Sequence, residues 1–276
     1  MFLVYYVPPE PPLGRACNRP YNPWMEEVRV EGARAVERVI ARMRRVEDGP
    51  LSLEEMAGMA HLSPFHFSRL FKQVTGVPPG TFMAALRLER AKRLLLTTEL
   101  DVAEVCYEVG YESPGTFATR FSRLVGVSPG QMRRLPEMLE GATGRLRVPA
   151  LPPAPGGVAF RVGGELPAGA LAFAGLFPAA IPQGRPVACT LIGGPGEHHI
   201  PPAPDGLYHL MVAALPLHTS PLEMLLPGPE LRVGHAPVAV RRGSSASPAD
   251  IALRPTRPTD PPLLLALAAR LLERAR

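Results

Sequence analysis

The sequence predicts a multidomain chain: an all-α tandem helix-turn-helix module followed by a mainly β, sandwich-like domain that ends in a helix. Three observations predict it. An 18-residue stretch, 63–80, recurs at 113–130 at a constant offset of 50, with eight positions identical. Each copy follows a short segment that opens on a helix-capping signature, Ser52-Leu53-Glu54-Glu55 and Asp101-Val102-Ala103-Glu104. The run Pro149-Ala150-Leu151-Pro152-Pro153-Ala154-Pro155-Gly156-Gly157 then reads as a linker between helical texture and short apolar runs broken by Pro and Gly. The expected boundaries are an irregular segment over 1–25, the helical module over 26–138, a linker over 139–157 and the C-terminal domain over 158–276.

Composition sets outer limits. The 276 residues exceed the ~100–200 typical of one domain. A 46% hydrophobic share supports ordinary cores, and 20% charged residues argue against a disordered chain. Cys17, Cys106 and Cys189 are too few, too odd in number and too far apart for a disulfide framework or a metal-ligand spacing, which points to a reducing cytoplasm. No stretch reaches the ~18 apolar residues that span a bilayer. The apolar opening, Met1 to Val7, lacks preceding basic residues and is broken by prolines at 8, 9, 11 and 12, so it reads as a strand or tail and not an export signal.

Net charge does not identify a partner. The chain carries +5, but residues 26–140 hold 16 basic and 16 acidic side chains, and the excess lies mainly after residue 140, with 12 basic against eight acidic. Placement of charge on individual helices has to decide.

Residues 27–47 carry Val36, Val39, Ile40 and Met43 at helical spacing, predicting an amphipathic first helix. Ser52 and Asp101, each with a glutamate three residues on, are capping boxes that open helices to about Ala60 and Val109. Short turns, His61-Leu62 and Gly110-Tyr111-Glu112, lead into two candidate recognition helices over 63–75 and 113–125. There Ser63 and Ser113 can N-cap, Pro64 and Pro114 suit the first turn, and Gly76 and Gly126 suit a left-handed C-terminal cap. Helix, tight turn, helix occurs twice, joined by a helix over 80–97 with Phe82, Leu86, Leu94 and Leu95 available for burial.

In the first recognition helix Phe67, Leu70, Phe71 and Val74 form the inward stripe, while Phe65, Ser68, Arg69 and Lys72 form an opposite stripe without an acidic residue. Arg69 can pair with a guanine edge, Ser68 with a base or phosphate, and Phe65 with a thymine methyl; Lys72, a turn later, suits phosphate. In the second helix Phe117, Phe121 and Leu124 point inward. The positions equivalent to the first reading face are Gly115, Ala118, Thr119 and Ser122, with Thr116, Arg120 and Arg123 to the side. The base-contact candidates are therefore Phe65, Ser68, Arg69, Gly115, Thr116 and Thr119. The phosphate-contact candidates are Ser63, His66, Lys72, Ser113, Arg120 and Arg123.

Residues 34–136 resemble the DNA-binding domain of the AraC/XylS family of bacterial transcription regulators. The resemblance rests on L-S-P-F-H-F-S-R-L-F-K-Q-V-T-G-V-P-P-G, R-L-E-R-A-K-R-L-L and V-G-Y-E-S-P-G-T-F-A-T-R-F-S-R-L-V-G-V-S-P. It implies a seven-helix module that binds double-stranded DNA through both recognition helices, most often to activate transcription, with RNA polymerase a further candidate partner. Phe65, Ser68 and Arg69 stand at the family's base-reading positions; Thr119 stands where the family often has arginine. Sugar-sensing members carry a cupin-like sensor before this domain, whereas here the extra residues follow it.

For the C-terminal domain, apolar or alternating runs at 158–163, 169–176, 186–193, 207–215, 221–226 and 232–240 predict strands of a sandwich, and residues 261–274 a closing helix. His198, His199 and His209 with Glu197 lack cupin metal spacing, and adjacent histidines on a strand point to opposite sides. Ser244, Ser245 and Asp250 lack a base and a nucleophile elbow. Cys17 invites comparison with repair methyl acceptors, but their zinc-binding cysteines are absent. No cofactor, metal or catalytic activity is expected. The leading expectation is a regulator whose C-terminal domain senses a small-molecule effector or oligomerises. The alternatives are constitutive DNA binding with a protein-interaction domain, or an enzyme domain tethered to DNA.

Overall fold

The computed structural model describes residues 23–45, 51–140, 157–164, 170–216, 220–226 and 228–266. Seven helices precede the first strand among them: α1 (Pro23–Met43), α2 (Leu53–Met59), α3 (Pro64–Thr75), α4 (Pro79–Thr97), α5 (Val102–Glu108), α6 (Pro114–Val125) and α7 (Pro129–Glu140). Helix α1 buries the expected Val36, Val39, Ile40 and Met43, and it stops at Met43, short of the expected 47. The capping boxes form in both copies. Ser52 and Asp101 side chains accept from the N–H groups of Glu55 and Glu104, whose carboxylates accept from the cap N–H groups at 2.7 and 2.6 Å. Helix α4 lies at the centre and buries Phe82, Ala85, Leu86, Leu88, Ala91 and Leu95; Leu94 is only half-buried.

The two turns are alike but not at the offset of the helices that follow. Leu62 N–H donates to the Ala57 carbonyl at 2.9 Å, and Tyr111 N–H to the Cys106 carbonyl at 3.0 Å, a separation of 49 residues. The left-handed residue is His61 (φ 54°) in one and Gly110 (φ 78°) in the other. Glu112 is thus the additional residue before the second cap.

The C-terminal part departs from the expected sandwich. Its strands are β1 (Val158–Gly164), β2 (Ala170–Phe177), β3 (Ala188–Ile192), β4 (Gly196–Ile200), β5 (Gly206–Pro216), β6 (Arg232–Arg241), β7 (Ser244–Ser245) and β8 (Ala249–Pro255). They join in the order β3-β2-β5-β6-β8-β1-β4, with β7 on β6; β1 and β8 are parallel and the other pairs antiparallel. One sheet therefore curls on itself, nearly barrel-like, and its end strands β3 and β4 are chain neighbours linked by Gly193-Gly194-Pro195. The long strand β6 makes the turn: it pairs with β5 throughout but with β8 only through Arg232 and Val233. At Gly234 the strands cross so closely that a Cβ would lie 2.4 Å from Ile251 Cγ2. Residues 221–226, expected as a strand, hold α8 (Pro221–Leu225) instead, because Ser220 and Glu223 form a capping box. The expected closing helix is not seen over 261–266, and 267–276 lie outside the described residues.

Two strands are buried on both faces, which explains their unbroken apolar runs. On β2, Ala172, Ala174 and Leu176 enter the core enclosed by the sheet; Phe173 and Phe177 join the helical core. On β5, Leu210, Val212 and Ala214 face inward while Ala213 packs outward with Met211 and Leu215. The helices and the sheet's outer face thus share one apolar core. Backbone bonds cross the same boundary: Gly184 N–H donates to the Leu124 carbonyl at 2.7 Å and Ala266 N–H to the Val125 carbonyl at 3.2 Å. These satisfy carbonyls of the last turn of α6 that have no partner within the helix.

Candidate nucleic-acid interface

Helices α3 and α6 are built alike from the residues upward. Ser63 and Ser113 Oγ accept from the N–H groups of His66 and Thr116, each at 3.4 Å, and proline stands in each first turn. Gly76 (φ 81°) and Gly126 (φ 94°) end the helices in the left-handed conformation, donating to the carbonyls of Lys72 and Ser122. The inward faces hold a tilted phenylalanine pair in each copy, Phe67 with Phe71 and Phe117 with Phe121, both with ring centroids 5.6 Å apart. All four rings are fully buried, which fixes the rotation of each helix about its axis and so decides which side chains face out.

On the outward face of α3, Phe65 is 67% exposed, the Arg69 guanidinium carbon lies 6.0 Å from its ring centroid, and Lys72 is exposed a turn later. Ser68 is half-buried. The Ser63 hydroxyl lies 3.0 Å from His66 Nδ1, so the exposed imidazole is held over the helix start. On α6, Gly115, Thr116, Thr119, Arg120 and Arg123 are exposed. Ser122, in contrast, is half-buried and donates its hydroxyl to the Ala118 carbonyl at 2.7 Å, so that hydroxyl is engaged within the helix.

Charge sorts the same way. Behind the face, Arg44 pairs with Glu89 at 3.5 Å and Arg90 with Glu108. Among the described residues, Arg69, Lys72, Arg120 and Arg123 have no carboxylate partner, leaving their charge available to a polyanion. Ser68 of α3 and Arg120 of α6 line one groove of about 530 Å³, together with Arg87 and Tyr111. The structure thus brings members of both candidate sets to one surface. Arg87 and Tyr111 were not singled out from the sequence; Arg87 gave no signal beyond its charge. Burial pushes the Tyr111 phenol up, opposed by Arg120 and Arg87.

A second concavity, about 490 Å³, lies between the helices and the sheet, lined by Gln73 to Gly76 of α3, Lys92 of α4, and Phe173 and Phe177 of β2. Lys92 is 2% exposed and donates to the Leu263 carbonyl at 3.1 Å. Burial lowers its pKa to about 8, with Glu89 acting in the opposite sense. The sequence carried a signal for it: Lys92 sits with Leu88, Ala91 and Leu95 on one apolar stripe, where a lysine is out of place.

The remaining candidates do not converge. His198 Nε2 lies 2.9 Å from the Gly194 carbonyl, and His209 Nδ1 lies 2.8 Å from His235 Nε2 in a stacked pair. Burial lowers the pKa of both His209 and His235. Asp250 engages Arg161 at 3.4 Å, away from any serine nucleophile arrangement, and Arg161 also binds Glu197 at 2.7 Å. Among the described residues there is no group of three or more metal-ligating side chains, and no helix is long and apolar enough to cross a membrane. Cys106 is buried with its thiol pKa raised by desolvation, Cys189 is half-buried, and Cys17 lies outside the described residues.

Comparison with known proteins places the likeness on this helical part. Residues 56–135 match the helix-turn-helix domain family model. The chain is similar to the HTH-type transcriptional regulator GlxA of Rhizobium meliloti, 35% identical over 96 residues, which covers 35% of this chain and 30% of that protein. Among solved structures it is similar to the C-terminal domain of AraT, a response regulator from Geobacillus stearothermophilus: 35% identity, TM-score 0.33, 38% of this chain and 84% of that one. It is also similar to the DNA-binding domain of the transcriptional factor AdpA in complex with a target DNA: 27% identity, TM-score 0.33, 42% of this chain and 96% of that one. The chain spans 28% to 49% of the length of the curated relatives it matches.

Proposed function

We propose, from the premise that residues 56–135 form a helix-turn-helix domain of the AraC type, that the chain is a sequence-specific DNA-binding transcription regulator acting by binding rather than catalysis. Helices α3 and α6 enter neighbouring major grooves on one face of a duplex, about 34 Å apart. Phe65, Ser68 and Arg69 supply most base readout. Gly115, Thr116 and Thr119 make the closest base approach of α6. Ser63, His66, Lys72, Ser113, Arg120 and Arg123 hold phosphates. Local chemistry supports this division: α3 presents a guanidinium able to donate twice to guanine, whereas α6 presents a glycine and two threonines at its base-contact positions, with Arg120 and Arg123 to the side.

One observation carries the reading. Two helices of 12 residues, each locked by a buried phenylalanine pair, turn carboxylate-free basic faces outward. A solvated surface helix would ordinarily mix signs there. The C-terminal part braces the far ends of both: Ala180 lies against Gly76, and Gly184 and Ala266 bind the last carbonyls of α6. A change in the sheet domain is therefore transmitted to the two reading heads, which suits a sensor. Selecting bound duplexes from a random pool tests the proposal. The expected result is one enriched motif with two half-sites about 10–10.5 base pairs apart; no enrichment at moderate salt contradicts it.

A further inference from the structure

We propose that the cleft between α3–α4 and the outer face of β2, β5 and β6 binds a small organic anion with an apolar body, its charged head held by Lys92 and Arg93. The regulator reading gives this ligand its role as effector; the binding itself stands on the cleft alone.

At about 490 Å³ the cleft falls within the ~300–1,000 Å³ of small-molecule sites. Phe173, Phe177, Met211 and Leu231 give it an apolar wall. Its carboxylates are already engaged. Glu89 pairs with Arg44 at 3.5 Å, and Asp260 accepts from Arg254 at 2.7 Å and from the Arg257 N–H at 2.7 Å. Lys92, Arg93 and Arg257 are left without a carboxylate among the described residues, so the cleft has a surplus of positive charge.

Lys92 fixes the position of the head group. At 2% exposure its ammonium has lost nearly all its water, yet among the described residues only one of its three N–H groups has a protein partner, the Leu263 carbonyl. A desolvated cation whose nearby carboxylate, Glu89, is paired with Arg44 instead is unfavourably placed, and an arriving carboxylate or sulfonate supplies both a direct counter-charge and further acceptors. The depressed pKa of about 8, from desolvation, expresses the same deficit. The last turn of α3, Gln73 to Gly76, forms part of the wall, so occupancy of the cleft bears directly on the helix that carries Arg69.

The test is calorimetric titration of the full chain with decanoate and with 2-naphthoate, using decyltrimethylammonium as the cation of matched chain length. Expected are dissociation constants below about 1 mM for at least one of the two anions and at least about tenfold weaker binding of the cation. Lys92→Met is expected to lower anion affinity about tenfold or more while the melting temperature stays level or rises. Affinity for the anion should also fall between pH 7 and 9.5 in the parent and stay flat in Lys92→Met. The charged groups facing Lys92 in the cleft are Glu89, Asp260, Arg44, Arg93, Arg254 and Arg257, beside His235, whose pKa burial lowers; carboxylic acids and guanidinium ions as classes titrate outside that window. If Lys92→Met does not fold, Arg93→Gln at the exposed rim is expected to weaken anion binding severalfold. Equal affinity for the cation, unchanged anion affinity in these variants, or no binding of either anion overturns the proposal. Loss of DNA preference with anion binding intact contradicts the regulator reading alone; the reverse contradicts the cleft alone.

Discussion

Replacing Lys92 by methionine removes a charge from the shared core without changing its volume much, and the consequence for stability can be worked out with its sign. The folded-state pKa of about 8 lies below the ordinary value of 10.5. Between those values the unfolded chain binds more protons than the folded one, so stability rises with pH across that window, and the penalty for the buried ammonium is fully present below pH 8. The shift corresponds to about 3 kcal/mol. Methionine removes that penalty and forfeits the bond to the Leu263 carbonyl, about 1 kcal/mol for a neutral donor. Lys92→Met should therefore be more stable than the parent by about 2 kcal/mol at pH 7, and the advantage should shrink by about 1.4 kcal/mol per pH unit above pH 8 and be lost near pH 10. Urea unfolding of both proteins at pH 7, 8, 9 and 10 measures it, and the difference between them cancels the titration of Tyr111 and Cys106. A difference that stays constant across this range, or a variant less stable at pH 7, would refute the reasoning.

Other substitutions separate the roles assigned to the helices. Arg69→Ala should relax discrimination at one base position by about 1–3 kcal/mol, while Thr119→Ala changes discrimination less; competition binding against single-base variants of the selected site decides, and a larger loss at Thr119 would contradict the assignment. Lys72→Ala should weaken binding equally for all sequences and reduce the slope of log affinity against log salt by about one, whereas a sequence-dependent loss would place Lys72 on a base. Gly76→Ala forces a left-handed alanine (φ 81°) whose Cβ would sit 3.0 Å from Ala180 Cβ. It should destabilise the fold by about 1–2 kcal/mol in chemical denaturation, and an unchanged midpoint would contradict the contact. Gly234→Ala, with its Cβ 2.4 Å from Ile251 Cγ2, should cost about 1–3 kcal/mol if the sheet curls at that point.

The helical half was legible because its signals are local. Ser52, Ser63, Asp101 and Ser113 cap the helices they were expected to cap, and Gly76 and Gly126 end theirs, since a cap depends on residues within four positions of it. The outward placement of Phe65 and Arg69 follows from the same periodicity that buries Phe67 and Phe71. The unequal turns, His61-Leu62 and Gly110-Tyr111-Glu112, were legible as well; the left-handed conformation of His61 was not, because His61 adopts by context what Gly110 adopts freely. In the second helix, counting positions also put Ser122 on the open face, and its bond to the Ala118 carbonyl turns it aside.

The C-terminal half was harder because its pairings are distant in sequence. The runs at 169–176 and 207–215 do fall on strands, but nothing in them says whether their neighbours close one sheet or stack two. That is decided by β6, whose pairing passes from β5 to β8 where Gly234 lets the strands approach. The partly exposed strands β4 and β8 lack apolar runs and were missed; β4 carries Glu197 and two histidines. Ser220-Pro221-Leu222-Glu223 has the local signature that identified the other capped helices, and the surrounding apolar run masked it. The cleft at Lys92 could not be located from either half, since its walls come from α3, α4 and four strands that meet only in the fold.

Methylation interference on the selected duplex reports directly whether α3 and α6 enter neighbouring major grooves. The account predicts two patches of guanine N7 sensitivity, on one face of the helix and about 10–10.5 base pairs apart, with the patch assigned to α3 abolished by Arg69→Ala. A single patch, two patches on opposite faces, or sensitivity confined to the minor groove would contradict it.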